Sequence, residues 1–316
     1  MQTILGSNGQ IGQELAKELF KKYTKDIRLV SRKPRKVNPT DSLFSADLLK
    51  AEEAHAAIAG SEIVYFTAGL PMDSELWEEQ FPLMMKNVID ACKLHQSKID
   101  ACKLHQSKLV FFDNTYMYPK NAEIQYEDTK FEPRGRKSTV RARLAEMVIE
   151  EIENHSLEAV ICRAPEFYGP NHTQSITNTM VFNAIKENKK IKIPLSATRL
   201  RTLIWTPDAS RAMALIGNDA DAYGQTWHLP CAPSLTYQDI ITLSEEITGK
   251  KLQYTIIKMW QFKLAALFSQ KAKELQELLP RYAEDNVFNS DNFKKHFPEF
   301  EVTSFEAGVK QVLLEK

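Results

Sequence analysis

The chain has 316 residues, enough for one large α/β domain or two closely joined lobes around a sizeable core. Lys plus Arg and Asp plus Glu each total 41, so the overall charge points to neither nucleic acid nor an anionic membrane, and a small-molecule partner is expected. No apolar run approaches the roughly 20 residues of a membrane span and no basic, apolar, small-residue leader opens the chain, which makes a cytoplasmic location the expectation.

The first dozen residues organise the rest. Thr3 to Leu5 predicts a strand that opens into Gly6, Gly9 and Gly12, followed by a helical pattern with Ile11, Leu15, Leu19 and Phe20 on one face. Gly6 permits a tight turn, Gly9 lets backbone approach a pyrophosphate, and Gly12 lets helix and strand pack closely. With Asn8, Gln10 and Ile11 they form a loop whose unpaired N–H groups face phosphate, helped by the helix dipole.

A second strand, Ile27 to Ser31, follows at the distance a βαβ unit requires and ends in Ser31-Arg32-Lys33-Pro34-Arg35-Lys36. An acid at this point takes ribose hydroxyls, whereas cations accommodate a 2′-phosphate; four cations and no acid favour NADP(H), with NAD(H) as the alternative. Next come a short strand, Leu43 to Asp47, a helix over Ala51 to Ala59, and a buried strand from Glu62 into the small residues Thr67, Ala68 and Gly69. Asp47 could accept from the adenine amino group, and the Thr67 to Gly69 turn would line the ribose side; a helix cap and a plain turn explain them equally well.

A helix from about Ser74 carries Trp77, Phe81, Met84 and Val88 and meets an unusual feature: Ile89 to Lys98 is repeated without change as Ile99 to Lys108. Two copies make no solenoid, so the repeat reads as a tandem duplication or an insertion. Ten extra helical residues would turn the following face by roughly 280°, so one copy is expected to bulge, loop out or extend the helix past the sheet. Lys108 to Asp113 predicts the fifth strand, and Asn114-Thr-Tyr-Met-Tyr-Pro119 at its carboxyl end is the natural place for chemistry. A cationic helix runs from Arg134 to about His155, and a sixth strand from Ala159 to Arg163. Beyond it the pattern predicts helices over Thr177 to Asn188, Ala209 to Ile216, Leu235 to Thr248, Met259 to Leu279 and Ser304 to Leu314, with strands at Ile191 to Pro194 and Gln225 to Pro230. Four cysteines and seven histidines show no metal-ligand spacing, so no metal site is expected.

The ordered series Gly6-x-x-Gly9-x-x-Gly12, Asp47, Thr67 to Gly69, Met117-Tyr118, Arg163-Ala-Pro-Glu-Phe-Tyr168-Gly-Pro170, Trp205-Thr-Pro-Asp208 and Ser234-Leu-Thr236 resembles the extended short-chain dehydrogenase/reductases, the NAD-dependent epimerase/dehydratase family. The resemblance implies a doubly wound parallel Rossmann sheet of the α/β class and a smaller C-terminal substrate lobe. The division expected is 1–166 with about 201–231 for the NAD(P)-binding domain, and 167–200 with 232–316 for the lobe. It also places Pro165 beside the cofactor. It implies a homodimer through the helices after the fourth and fifth strands; if the 89–108 repeat falls at that helix pair, a monomer is expected instead.

The catalytic pattern departs from the family, which uses a Ser or Thr after the fifth strand and a Tyr four residues before a Lys on the next helix. No Tyr opens this helix. Lys137 or Arg141, depending on the alignment, takes the lysine's place, Asn114 or Thr115 stands in for the Ser/Thr, and Tyr116 or Tyr118 is the available phenol. Tyr116, Tyr118, Phe167, Tyr168 and Trp205 would form an aromatic wall for a sugar ring or an apolar substrate. The expected function is an NADP-dependent oxidoreductase or epimerase acting on a small hydroxyl or carbonyl compound; the alternative is a catalytically silent NADP(H) sensor.

Overall fold

The computed structural model describes residues 1–97, 107–170 and 173–314. In chain order the first half holds β1 (Gln2–Leu5), α1 (Gln10–Lys22), β2 (Ile27–Ser31), β3 (Ser42–Ser45), α2 (Ala51–Ile58), β4 (Ile63–Phe66), α3 (Ser74–Ser97), β5 (Lys108–Asp113), α4 (Arg136–Glu153) and β6 (Ala159–Arg163). The second half adds β7 (Glu166–Tyr168), α5 (Asn183–Lys186), β8 (Ile191–Pro194), β9 (Leu203–Trp205), α6 (Thr206–Gly217), β10 (Thr226–His228) and α7 (Tyr237–Thr248). It closes with β11 (Tyr254–Ile257), α8 (Met259–Ala266), α9 (Gln270–Leu275), α10 (Asp291–His296) and α11 (Phe305–Leu314). These elements fall into two compact units. One is Met1–Asn114, Arg136–Arg163 and Ala209–Trp227; the other is Thr115–Gly135, Ala164–Asp208 and His228–Lys316.

The first unit is built on a seven-stranded sheet in the order β10-β6-β5-β4-β1-β2-β3, with the pairs from β6 to β3 all parallel. Strand order reverses beside β1, the arrangement of a doubly wound dinucleotide fold. The sequence shows why: β1, β4 and β6 are buried along their whole length, as strands covered on both faces must be. Leu15, Ala16 and Leu19 of α1 are buried, while α2 packs on α3 and α3 on α4. The α1 stripe thus recurs at the 3.6-residue period of an amphipathic helix.

The second unit has its own core, in which Tyr168, Phe182, Trp205, Tyr237, Tyr282 and Val309 pack together. Two parallel strand pairs, β7 with β9 and β8 with β11, carry it. A capping box between Thr236 and Asp239 starts α7, and Gly249 in the left-handed region ends it.

Several elements differ from the sequence expectation: β7 and β9 were not foreseen, and the helix expected over Thr177 to Asn188 is a π-helix over Asn178–Phe182 followed by the short α5. β3 ends before Asp47, α4 begins at Arg136 because the glycine before it has φ +113°, and the long helix expected over Met259 to Leu279 is broken. The break has a local cause: Ser269 leaves the helix and its hydroxyl accepts from the Ala272 N–H, capping a new helix, α9. α3 continues to Ser97, within the first copy of the repeat, and Ser107 donates to the Ser61 carbonyl at 2.7 Å just before β5. The expected bulge or loop lies outside the described residues.

Each unit buries one charge cluster. In the first, Asp113 at the end of β5 accepts from Arg141 Nε at 3.0 Å and from its Nη2, and from Arg163 Nε at 3.1 Å. In the second, Glu166 takes the Arg201 guanidinium and the Tyr282 hydroxyl at 3.0 Å, with Arg281 Nε 3.4 Å away. Burial works to raise the Glu166 pKa, and the charges of Arg201 and Arg281 with the hydrogen bonds from Arg201 and Tyr282 outweigh it, so the carboxyl sits below its ordinary range.

Asp113→Asn strands two buried guanidiniums and should cost about 3–5 kcal/mol, read as a shift in the urea midpoint. Glu166 gives a pH test. Its folded-state pKa is depressed, so its contribution is complete above the unfolded value of about 4.3 and is lost as pH falls through the lower folded value. Between about pH 6 and about pH 3, urea midpoints should fall more steeply for the native protein than for Glu166→Gln; equal slopes would remove this assignment.

Candidate functional site

The loop after β1 has the form of a phosphate cradle. Gly6 has φ +85°, and a Cβ there would lie 2.5 Å from the Ala68 Cα and 2.6 Å from its N. A Cβ on Gly12 would come within 2.9 Å of the Ser7 Cα. Only hydrogen fits at either point, and α1 starts at Gly9 with no side-chain cap and no acid in its first turn. The N–H groups of Gln10, Ile11 and Gly12 therefore open a helix that no side chain of its own cap residue neutralises.

Asn8 joins this loop to the basic segment after β2. Its amide donates to the Lys33 carbonyl at 2.8 Å, and its oxygen accepts from the Arg35 N–H at 3.1 Å. The Ser31 hydroxyl accepts from the Lys33 N–H at 3.2 Å, and the Ser45 hydroxyl donates to the Arg32 carbonyl at 3.0 Å. Four backbone tethers thus hold the turn, while Arg32, Lys33, Arg35 and Lys36 extend exposed side chains that meet no carboxylate among the described residues.

The remaining cofactor candidates are placed as follows. Asp47 is half-buried, its Oδ1 accepts from the Leu49 N–H at 3.1 Å, and its own N–H is bound by Glu53. Thr67 donates through its hydroxyl to the Leu5 carbonyl at 2.9 Å, Ala68 is the surface that Gly6 approaches, and Gly69 has open space where a Cβ would stand. Pro165 is buried in the second unit.

The catalytic candidates separate by environment. Lys137 is buried on α4 and donates to the Ser74 hydroxyl at 2.8 Å, at the first residue of α3. Arg141 commits its guanidinium to Asp113 and to the Phe112 carbonyl and stacks over Phe81 and Phe111, so it holds β5 against α4. Asn114 is half-buried in the first unit; Thr115, buried, and Tyr116, half-buried, open the second. Tyr116 lies with its ring 5.0 Å from the Arg281 guanidinium. Lys120, at the four-residue spacing from Tyr116, is committed to the Arg134 and Glu277 carbonyls.

The expected aromatic wall is largely core. Tyr118 is buried, with its hydroxyl 2.7 Å from His228 Nε2 and donating to the Tyr126 carbonyl at 3.0 Å; His228 in turn stacks on Phe288. Tyr168 and Trp205 pack against each other inside the second unit, and burial pushes the Tyr168 phenol well up. These three are corrected from substrate contacts to packing residues: large rings behind short strands are taken into the core where the unit must bury area. Tyr116 and Phe167 alone of the five keep appreciable exposure.

The sequence reading missed Arg281 and the role of Glu166. Burial opposes the charge on Arg281, and Glu166 with the neighbouring phenols outweighs it, so its pKa is raised. Two guanidiniums against one carboxylate leave this cluster with an excess positive charge. Its only sequence signal was Arg201 at the head of Arg201-Thr-Leu-Ile-Trp205, since Arg281 follows 80 residues later. Among the described residues no group of three His, Cys, Asp or Glu could hold a metal, and Cys92, Cys162 and Cys231 are buried, with burial raising each thiol, Cys92 to about 12. Cys102 lies outside the described residues. No helix among them is long and apolar enough to cross a membrane.

The UDP-glucuronic acid 4-epimerase of Bacillus cereus in complex with NAD is similar with a TM-score of 0.78 at 15% identity, over 99% of this chain and 96% of that one. The UDP-glucose 4-epimerase of Thermus thermophilus in complex with NAD gives 0.74 at 15%, covering 99% and 98%. The dTDP-glucose 4,6-dehydratase of Bacillus anthracis in complex with NAD gives 0.76 at 14%, covering 99% and 94%. At these identities the likeness is one of fold, and no curated protein sequence matches the chain. The model of the NAD dependent epimerase/dehydratase family matches residues 3–229, more than two thirds of the chain. With the glycine cradle and the parallel sheet, this match means that the chain belongs to the NAD-dependent epimerase/dehydratase family and stands among its enzymes.

Proposed function

We propose that this protein is a nicotinamide-dinucleotide-dependent oxidoreductase or epimerase, with NADP(H) preferred over NAD(H), acting on a small hydroxyl or carbonyl compound such as a sugar derivative that carries an anionic group. The observation that carries the reading is the cradle at Gly6, Gly9 and Gly12, tied through Asn8 to exposed cations without carboxylate partners. The neighbours crystallised with NAD support the dinucleotide, and Arg32, Lys33 and Arg35 support the extra phosphate. We assign the cofactor to the unit built on the seven-stranded sheet, Met1–Asn114, Arg136–Arg163 and Ala209–Trp227, and the substrate chiefly to the other unit.

The residues fit the group by shape and charge. Gly6 to Gly12 with Asn8, Gln10 and Ile11 would hold the pyrophosphate, Asp47 and Thr67 to Gly69 the adenosine half, and Lys137, pre-oriented by Ser74, the nicotinamide ribose hydroxyls. A bound nicotinamide supplies hydride acceptance and donation. Asn114 or Thr115 would polarise the substrate oxygen, and the Tyr116 hydroxyl would take or give its proton. Arg141 is left out of the chemistry because Asp113 already holds it. The excess positive charge of Arg201 and Arg281 against Glu166 supports an anionic substrate, in keeping with the UDP-glucuronic acid 4-epimerase among the similar structures. The absence of a Tyr at the start of α4 keeps a second reading open, a dinucleotide sensor without turnover.

Calorimetric titration should show NADPH binding more tightly than NADH, and Arg32→Ala should lower the NADPH affinity about tenfold while leaving NADH unchanged. Equal affinities would overturn the phosphate assignment. In a screen of carbonyl sugars, Tyr116→Phe should lower turnover about a hundredfold with the cofactor Kd unchanged. Undiminished turnover would remove Tyr116 from the chemistry, and tight cofactor binding with no turnover of any substrate would favour the sensor.

A further inference from the structure

The second unit presents an apolar face that its own fold does not use. α8 is anchored inward by Phe262, which is buried, and packs on α9. Its other side carries Trp260 and Leu264, and Leu267 and Phe268 follow in the turn directly after it; the four are 61%, 51%, 75% and 86% exposed. At 100° per residue Trp260 and Leu264 lie about 40° apart on one face, the cap residue Leu267 keeps helical backbone and extends that face, and Phe268 adjoins it. Scattered exposed apolar residues need no explanation, but four large ones in nine residues form a patch that does.

The charge around the stripe identifies what would cover it. From Lys250 to Lys273 there are six lysines and no aspartate or glutamate, in a chain whose overall charge is zero. All six are exposed. Lys251 pairs with Glu245 at 3.0 Å and Lys250 donates to Asn188 at 2.9 Å. Lys258, Lys263, Lys271 and Lys273 meet no carboxylate among the described residues. A second copy of this chain would bring the same uncompensated lysines against each other. An apolar stripe with a Trp and a Phe, set among cations, instead has the composition of a segment that lies in a lipid interface, rings at headgroup depth and lysines on anionic headgroups.

We propose that the α8 face, Trp260, Leu264, Leu267 and Phe268 with Lys258, Lys263, Lys271 and Lys273, docks the protein on an anionic lipid surface. This is peripheral attachment rather than spanning: the apolar part is too short to cross a bilayer and long enough to enter its boundary. The proposal is independent of the dinucleotide reading, since none of these residues has a role in it.

The test uses the full-length protein and vesicles of phosphatidylcholine, with or without about 30 mol% phosphatidylserine. Co-sedimentation should occur with the anionic vesicles and fall at least about tenfold with neutral ones, because each lysine near an anionic surface is worth roughly fivefold in partitioning. Trp260 reports directly: Trp77, Trp205 and Trp227 are buried, so an emission shift to the blue on vesicle addition belongs to the exposed ring. Phe268→Glu and the pair Lys258→Glu with Lys263→Glu should each reduce binding at least about tenfold with unchanged melting temperature, and about 0.5 M salt should weaken it. Absence of co-sedimentation, or equal binding to neutral vesicles, would overturn the proposal. A concentration-dependent dimer abolished by Phe268→Glu, without vesicle binding, would assign the face to a second copy and overturn it as well.

Discussion

The close approach of Gly6 to Ala68 is the constraint on which the β1–α1 end of the first unit depends. β1 and β4 are parallel neighbours, so the chain leaves both at the same edge of the sheet and the two exits must pass within van der Waals distance. With a Cβ at Gly6 lying 2.5 Å from the Ala68 Cα, either the strands would part or the turn would open. The same turn starts α1 against Ser7 and aims its first N–H groups outward. Sheet order, helix position and the glycine turn are thus one geometric solution, which explains how a fold can persist where sequence identity to the similar structures is 14–15%.

The cations illustrate how burial sorts residues that look alike in a sequence. Lys137 and Arg141 both stand on α4, and each can be aligned with the family's lysine. Arg141 faces Asp113, which also takes Arg163, so two guanidiniums and one carboxylate form a buried joint between α4, β5 and β6. A guanidinium with planar, bidentate geometry is suited to that work, whereas the Lys137 ammonium, hydrogen-bonded to the Ser74 hydroxyl, is a compact point charge. The two stand four residues apart on one face of α4, and the difference lies in the partner each meets along it, Ser74 for Lys137 and Asp113 for Arg141, which no local spacing encodes.

Legibility followed the range of the interaction. Strands β1, β2, β4, β5, β6 and β8 and helices α1, α2 and α7 were read within a residue or two, because two-sided burial and helical period are written in consecutive residues. The close backbone approach at Gly6 and Gly12 was legible for the same reason. Tyr118, Tyr168 and Trp205 were not, because a ring at a strand end has the same local signature whether it faces a ligand or the His228 and Phe182 that fill the second unit. Arg281 was invisible, since its partner Glu166 lies 115 residues earlier in the chain. The repeat was plain in the sequence, but its second copy falls largely outside the described residues.

Charge has the same dependence on scale. A chain total of zero argues against anionic surfaces only if the charges are mixed, and here they are not: the acids lie elsewhere while residues 250–273 carry six lysines and none. Electrostatic attraction falls off within about 8–10 Å at physiological salt, so a surface responds to the local strip and never to the sum. The break at Ser269 adds the second ingredient. Had the predicted helix continued to Leu279, Leu267 and Phe268 would have sat in its middle; because the chain turns there, both rest at a helix end among lysines with their side chains in solvent. Ending the helix at Ala266 rather than Leu279 converts an ordinary amphipathic pattern into an apolar tip in a lysine-rich segment, and the composition of the whole chain conceals it.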